Sequence, residues 1–461
     1  MKKYITIILV SLVAVSCNDF LDIKPYGKEI PKTAEDFSAL IHQLCNSFDY
    51  GSELFTSLSS CQRSAELEEV ADNGEVNLTE LPGGSSLRSY IGEILSNEQN
   101  NYKDYYQIIG ICNMTLDALP HNGSTQQERD VVGTAYAFRG WCYYQLLRDF
   151  CAPPLADDAT LGVPLVTTFD MEAKPVRSTL QATIEQIEAD FNAAIACDIK
   201  NPMFRFNNDV CKGFLARLYH WCGRWSEARA IALELLDRYP LLQGQDYVDM
   251  MTTQFNLNGN TLIKNNLFYN SSNPVAPLYT MWSYRPLSTR FVHLFPERDN
   301  DVRFTMWFNA RRLSLKLFFA SLRSAELAFI AMECAYHLGD EETALRELNA
   351  FRRLRIQPCT DLTPQTCPAV RDDEYIREDC YGHPLTPLLY AILVERRKEF
   401  LFENGDRWYE LKRNGRPEWW IMNKGLKYWT RKYMYTFPLP IQDVRLQPGL
   451  IQNPGYDEAT K

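Results

Sequence analysis

The chain has 461 residues with 46% hydrophobic and 23% charged residues, which excludes disordered and fibrous classes and leaves room for a large core. Its formal net charge of -10, with only short and interrupted basic clusters, argues against a nucleic-acid partner, whose phosphates need a basic footprint.

Met1-Lys2-Lys3, the apolar run Ile5 to Val15 and the small residues Ala14-Val15-Ser16 make a secretory signal over residues 1–16. The run is far short of the roughly 20 apolar residues of a membrane-spanning helix, and no later segment approaches that length. The small-residue exit ends on Cys17, the one side chain there able to take lipid through a thioether. Cys17 is therefore the expected lipidation site, as in bacterial lipoproteins, with residues 17–31 as tether; the alternative is an ordinary signal peptide beside an incidental cysteine.

Beyond Pro31 the pattern is mainly helical. Thr33 with Asp36 forms a capping box before Phe37, Leu40, Ile41 and Leu44, and Ser178 with Gln181 repeats the device before Ile184, Ile187 and Phe191. In "GFLARLYHWCGRWSEARAIALELLDRYP", residues 213 to 240, Leu215, Ala216, Tyr219, Ala228 and Pro240 match the tetratricopeptide pattern, with Gly223 at the turn. Gly339 and Ala344 repeat the spacing of Gly223 and Ala228 after the apolar stripe of "LAFIAMECAYHL". Two stretches break the helical pattern. Residues 60 to 100 carry the turn signals Asn73-Gly74 and Pro82-Gly83-Gly84, and residues 244 to 310 are rich in Asn, Thr, Tyr, Trp and Pro. Both are expected to be loops and short strands laid over the scaffold, where binding residues concentrate.

Of the 13 cysteines, Cys112, Cys142, Cys211, Cys222 and Cys334 sit in helical patterns as small buried residues. Cys359, Cys367 and Cys380 lie in a proline-rich connection and stand as free thiols or as a loop-closing pair. No zinc spacing, phosphate loop, dinucleotide fingerprint or serine-nucleophile elbow is present, so neither metal nor cofactor is expected. Glu395, Glu399 and Glu403 share a helix face and offer a glycosidase acid–base set. Their interleaving with Arg396, Arg397 and Lys398 instead reads as helix-surface ion pairing, and Arg352, Arg353 and Arg355 read as a solvated face.

"ERRKEFLFENGDRWYELKRNG", residues 395 to 415, resembles the C-terminal signature helix of the SusD/RagB family of outer-membrane nutrient-binding lipoproteins. "FPLPIQDVRLQPGLIQNPGY", residues 437 to 456, resembles its closing segment, and "YKDYYQIIGICN", "AYAFRGWCYYQLLRDF" and "RSAELAFIAMECAY" resemble its repeat helices. The likeness spans nearly the whole chain. "FCAPPLA" replaces the usual Tyr-Gly turn and "NGDRWYE" the commoner Glu-Gly-His-Arg run.

The resemblance implies a mainly α fold: a tetratricopeptide-like helical scaffold over residues 32–461, with an irregular, loop-rich ligand-binding part near 244–310. It also implies a non-enzymatic, lipid-anchored outer-membrane protein that presents oligosaccharides, or else peptides, to a SusC-like TonB-dependent transporter. A sugar site needs aromatic platforms beside amide, carboxylate or guanidinium groups. Residues 244 to 310 offer Tyr269, Tyr279, Trp282, Tyr284 and Trp307, and the 60 to 100 loops offer Asp72, Asn73, Arg88 and Tyr90. The resemblance brings the two regions to one surface; either tryptophan has core as its alternative. Glycan is the first choice of ligand, peptide the second.

Overall fold

The computed structural model describes residues 31–50, 60–75, 90–95, 98–170, 172–252, 261–266, 282, 284–316, 318–423 and 425–456. Cys17 and the tether lie outside them.

Helices dominate. Those longer than four residues are, in chain order, α1 (Ala34–Tyr50), α2 (Ser60–Val70), α3 (Glu98–Ala118), α4 (Gln126–Phe150), α5 (Leu180–Cys197), α6 (Asn208–Trp221), α7 (Trp225–Arg238), α8 (Gly244–Thr252), α9 (Val302–Trp307), α10 (Ser324–His337), α11 (Glu341–Arg353), α12 (Pro387–Glu399), α13 (Asp406–Arg413) and α14 (Ile441–Leu446). Three antiparallel two-stranded ribbons accompany them. β1 (Leu161–Pro164) pairs with β2 (Arg177–Thr179), β3 (Thr261–Asn266) with β4 (Phe319–Arg323), and β5 (Trp419–Asn423) with β6 (Leu426–Thr430).

The helix starts follow from local hydrogen bonding. Asp36 N–H donates to Thr33 Oγ1 at 3.3 Å and Thr33 N–H to Asp36 Oδ2 at 2.9 Å, closing the expected capping box before α1. Thr125 and Glu128 build another before α4. The start of α5 falls one residue later than Ser178 predicts. Thr179 accepts from Ala182 N–H, while Ser178 Oγ is drawn away to Val163 O across the β1–β2 ribbon at 2.7 Å.

Successive helices pack as hairpins: α3 on α4, α4 on α5, α6 on α7, and α10 on both α7 and α11. The tetratricopeptide reading holds in its physical content. Ala216, Tyr219 and Ala228 are buried, Tyr219 reaching Glu188 of α5 through its hydroxyl at 2.6 Å, and Gly223 makes the turn between α6 and α7 at φ +73°. Gly339 makes the corresponding α10–α11 turn at φ +85°, after which Asp340 caps α11 through Thr343 N–H.

Two loop expectations need correction. Residues 60–70 are helix α2, and α8 buries Tyr247, Met250 and Met251. Residues 282 to 308 supply a second core, in which Trp282, Leu287, Phe291, Phe295, Trp307 and Phe308 pack with Phe318, Leu401 and Phe402. Aromatic and aliphatic residues dense enough to form a core did so without a helical period. Cys112, Cys142, Cys211 and Cys334 are buried and Cys222 is half-buried; Cys359, Cys367 and Cys380 are free thiols.

The tight α6–α7 contact makes a direct expectation. Ala228→Leu overpacks it and should lower unfolding free energy by about 1–3 kcal/mol. Urea denaturation of the full chain measures this, and an unchanged midpoint would remove Ala228 from the helix–helix seam.

Candidate functional site

The 60 to 100 and 244 to 310 regions do meet at their base. Gly74 and Leu287 form an antiparallel bridge, Ser288 N–H donates to Asn73 O at 2.7 Å, and Glu75 N–H to Pro286 O at 2.9 Å. The predicted polar ligands there face inward. Asp72 is buried and takes Arg407 Nε at 2.6 Å, Arg397 Nη2 at 3.1 Å and Arg290 Nη1 at 3.2 Å. Burial opposes its ionisation, but Arg397 and Arg407 overcome that and hold the carboxyl well below the usual range. Asn73 is spent between Glu68 Oε1 at 2.7 Å and Arg397 Nε at 2.8 Å.

The two tryptophans are core. Trp282 is 1% exposed, packed on Phe402 at 4.7 Å and under the Arg285 guanidinium at 4.8 Å. Trp307 is 1% exposed and donates Nε1–H to Lys398 O at 2.8 Å. Asp72, Asn73, Trp282 and Trp307 are thereby corrected from ligand contacts to internal ones. Arg88, Tyr269 and Tyr279 lie outside the described residues. Tyr284 is 50% exposed, and Tyr90 is half-buried.

Tyr90 leads to residues the sequence reading left out. Its ring lies 4.5 Å from that of Tyr428, on the β5–β6 ribbon. In that ribbon Trp420 pairs with Trp429 and Met422 with Lys427 across the strands. Alternation sends Trp419 inward, stacked on Tyr375 at 4.9 Å and 10°, and Trp420 outward, 45% exposed. Lys427 Nζ sits 4.1 Å from the Trp420 ring and 4.4 Å from Trp429, and the Arg431 guanidinium 4.3 Å from Trp429. The result is an outward tryptophan pair, Trp420 exposed and Trp429 half-buried, with Lys427 over both rings and Arg431 over Trp429, able to offer aromatic surface and cationic hydrogen-bond donors to one ligand. In "EWWIMNKGLKYWT" the two aromatic-rich runs on either side of Asn423-Lys424-Gly425 carry the hairpin signal.

The signature segment is a buried ion-pair lattice rather than a solvated face. Glu399 receives Arg323 Nη1 at 2.7 Å and Arg355 Nε at 3.1 Å. Glu403, past the end of α12, receives Lys316 Nζ at 2.8 Å and Arg323 Nε at 2.9 Å. Glu395 receives Arg303 Nη2 at 2.6 Å and Lys398 Nζ at 2.7 Å. Arg352 and Arg355 are buried, and only Arg353, with 54% of its side chain exposed, meets the solvated expectation. Among the described residues no cluster of His, Cys, Asp and Glu is arranged for a metal ion.

The comparisons with known proteins agree with this architecture. A family model described as starch-binding and associating with the outer membrane matches residues 19–220, and the SusD family model matches residues 264–456. Similar solved structures include a SusD superfamily protein from Bacteroides fragilis, 19% identical, covering 92% of this chain and 100% of its own at TM-score 0.69. A SusD-like carbohydrate binding protein from Bacteroides vulgatus is 16% identical, covering 91% and 98% at TM-score 0.64. A laminarin binding SusD-like protein is 17% identical, covering 93% and 100% at TM-score 0.55. At these identities the structures establish the fold. No curated protein matches.

The lattice sets an acid limit. Burial opposes the ionisation of Glu395 and Glu399, but Lys398 and Arg303 hold the first at about 2, and Arg355 with Arg323 hold the second lower still. Carboxyls depressed in the folded state contribute stability above their unfolded pKa, near 4.5, and lose it as pH falls toward the folded value. Glu68 and Asp406, pushed up to about 7 by burial, act oppositely and lose stability as pH rises from the ordinary carboxyl range to about 7. Urea midpoints should therefore fall steeply between pH 4.5 and 2.5; a flat profile there would contradict charged, paired Glu395 and Glu399.

Proposed function

Because this chain belongs to the SusD/RagB family, we propose that it is a non-enzymatic outer-membrane lipoprotein that binds nutrient oligosaccharides and delivers them to a SusC-like TonB-dependent transporter. The observation that carries the binding role is the outward Trp420–Trp429 pair, with Trp420 exposed, Lys427 over both rings and Arg431 over Trp429. Pyranose rings offer CH faces to aromatic rings and hydroxyls to cations. Tyr284 is a further exposed aromatic ring in the 244 to 310 region. Neighbours described as carbohydrate binding and laminarin binding support glycan over peptide. Burial and pairing of Glu395, Glu399 and Glu403 support the non-enzymatic reading over a hydrolase using them as an acid–base set.

Calorimetry against a panel of oligosaccharides and peptides tests the reading. One glycan should bind without being cleaved, and Trp420→Ala or Trp429→Ala, shown folded, should weaken it roughly tenfold or more. A peptide bound in place of every glycan, or unchanged affinity in both variants, would overturn the ligand or the platform respectively.

Anchoring rests on Cys17, where acyl chains contribute roughly 0.8 kcal/mol per buried methylene. Cys17→Ala should move the protein from membrane to soluble fractions in cells lacking the transporter. Retention on the membrane there would count against lipidation.

A further inference from the structure

A pocket of about 330 Å³ lies beside α12, bordered by Glu395 and Lys398 of the lattice and otherwise by residues not yet described. It has the size of a small-ligand site. One wall is a single face of α12, with Tyr390, Ala391 and Val394 at helical spacing; the others are the turn bearing Leu294 and Glu297 and the connection bearing Leu362. These walls are fixed. Asn349 holds Leu362 through both amide atoms at 2.8 Å, Arg352 donates to Thr360 O at 2.9 Å, and Arg371 donates to His293 O at 3.2 Å.

Two buried polar atoms at the pocket have no hydrogen-bond partner: the Tyr390 hydroxyl, on a residue 3% exposed, and Glu297 Oε2. The Arg371 main chain approaches the Tyr390 hydroxyl without completing a bond. Glu297 Oε1 accepts from Arg352 at 2.9 Å, and Lys398 Nζ stands 3.7 Å from Oε2, beyond hydrogen-bonding range. Unmet buried groups of this kind are rare and costly, and a ligand that meets them regains that cost.

Their chemistry narrows the ligand. Glu297 Oε2 requires a donor, Tyr390 can donate to a carbonyl, and the two stand on different walls. The space between is lined by Leu294, Leu362, Ala391 and Val394. The surrounding charges are already matched: Arg352 with Glu297, Lys398 with Glu395 at 2.7 Å, and Arg371 with Asp373 at 2.9 Å. An ionic ligand would break that balance, whereas a neutral secondary amide would not. Its N–H and C=O point in opposite directions, and a methyl group beside them suits the aliphatic lining.

We infer that this pocket receives the acetamido group of an N-acetylhexosamine, with its N–H on Glu297, its carbonyl on Tyr390 and its methyl group on the aliphatic wall. The inference rests on the glycan-binding reading and deepens it: the pocket selects an N-acetylated residue, while the tryptophan platform holds the neighbouring sugars. A peptide could supply the same amide, but its chain would have to continue out of both ends of the bond. A terminal acetyl group needs only one opening.

The probes are methyl β-N-acetylglucosaminide, methyl β-glucoside, the corresponding glucosaminide with its free ammonium, and N-acetylalanine methylamide, each titrated into the full chain by calorimetry. The acetamido glycoside should bind at least tenfold more tightly than the other two sugars. Tyr390→Phe should weaken it about three- to tenfold, the loss of one neutral hydrogen bond. Because the hydroxyl has no partner in the free protein, that variant should unfold at the same or a higher temperature. Equal affinity for glucoside and N-acetylglucosaminide, or no effect of Tyr390→Phe, overturns the inference while leaving glycan binding at the platform intact. Tighter binding of N-acetylalanine methylamide assigns the pocket to peptide and overturns the sugar. Failure of every oligosaccharide in the wider panel to bind would refute the functional reading as well.

Discussion

The fold turns on a sheet of charge that is inside the protein. Along residues 395 to 407, successive side chains find counter-charges from remote parts of the chain: Glu395 from Arg303, Arg397 from Asp72 and Glu374, Glu399 from Arg323 and Arg355, Glu403 from Lys316, Arg407 from Asp72 and Glu374. Removing one partner from such a lattice leaves another buried charge unmatched, a cost on the order of 3–5 kcal/mol. A well-packed apolar replacement would be about as stable, so the lattice contributes less to net stability than to selecting one arrangement. It closes only when segments near 72, 303, 323, 355 and 374 all arrive in register.

That register places the surface. Glu374 is held by Arg397 and Arg407, and its neighbour Tyr375 lies between the Arg290 guanidinium at 3.8 Å and the Trp419 ring at 4.9 Å. Trp419 is the inward residue of β5, so fixing its ring fixes which way Trp420 points. The period-two alternation of a strand then makes burial of one tryptophan the cause of exposure of the next. The platform is rigid for a reason that reaches back to Asp72, and a rigid aromatic face loses little entropy when a ligand settles on it.

What the sequence made legible was local. Caps, the small residues at helix crossings and the glycine turns at Gly223 and Gly339 act over three to ten residues, and they reappear in the structure with a single shift, at Thr179, caused by the non-local demand of Val163 O on Ser178. The lattice was illegible because its partners are far away in sequence: spacing showed Glu395, Glu399 and Glu403 on one side with basic neighbours, but nothing local says whether that side meets water or Arg323. Trp282 and Trp307 were ambiguous for the same reason, since composition cannot separate a core from a platform. The hairpin was different. Its two aromatic-rich runs and the Gly425 turn stand in the sequence, but a continuous run such as Trp419-Trp420-Ile421-Met422 does not say which face is buried until Tyr375 takes Trp419.

The α12 helix links the two kinds of chemistry. Toward its C-terminus Glu395, Lys398 and Glu399 belong to the lattice; toward its N-terminus Tyr390, Ala391 and Val394 face the pocket, after Thr386 caps the first turn. Glu395 and Lys398 also border that pocket, so its electroneutrality follows from the lattice. A group entering it meets charges whose partners are already in place. Attraction by net charge is then absent, and discrimination must come from shape and from the two unmet hydrogen-bonding atoms, which penalise a wrong ligand more than they reward a right one. An internal constraint that fixes the fold thereby determines what kind of selectivity its surface can have.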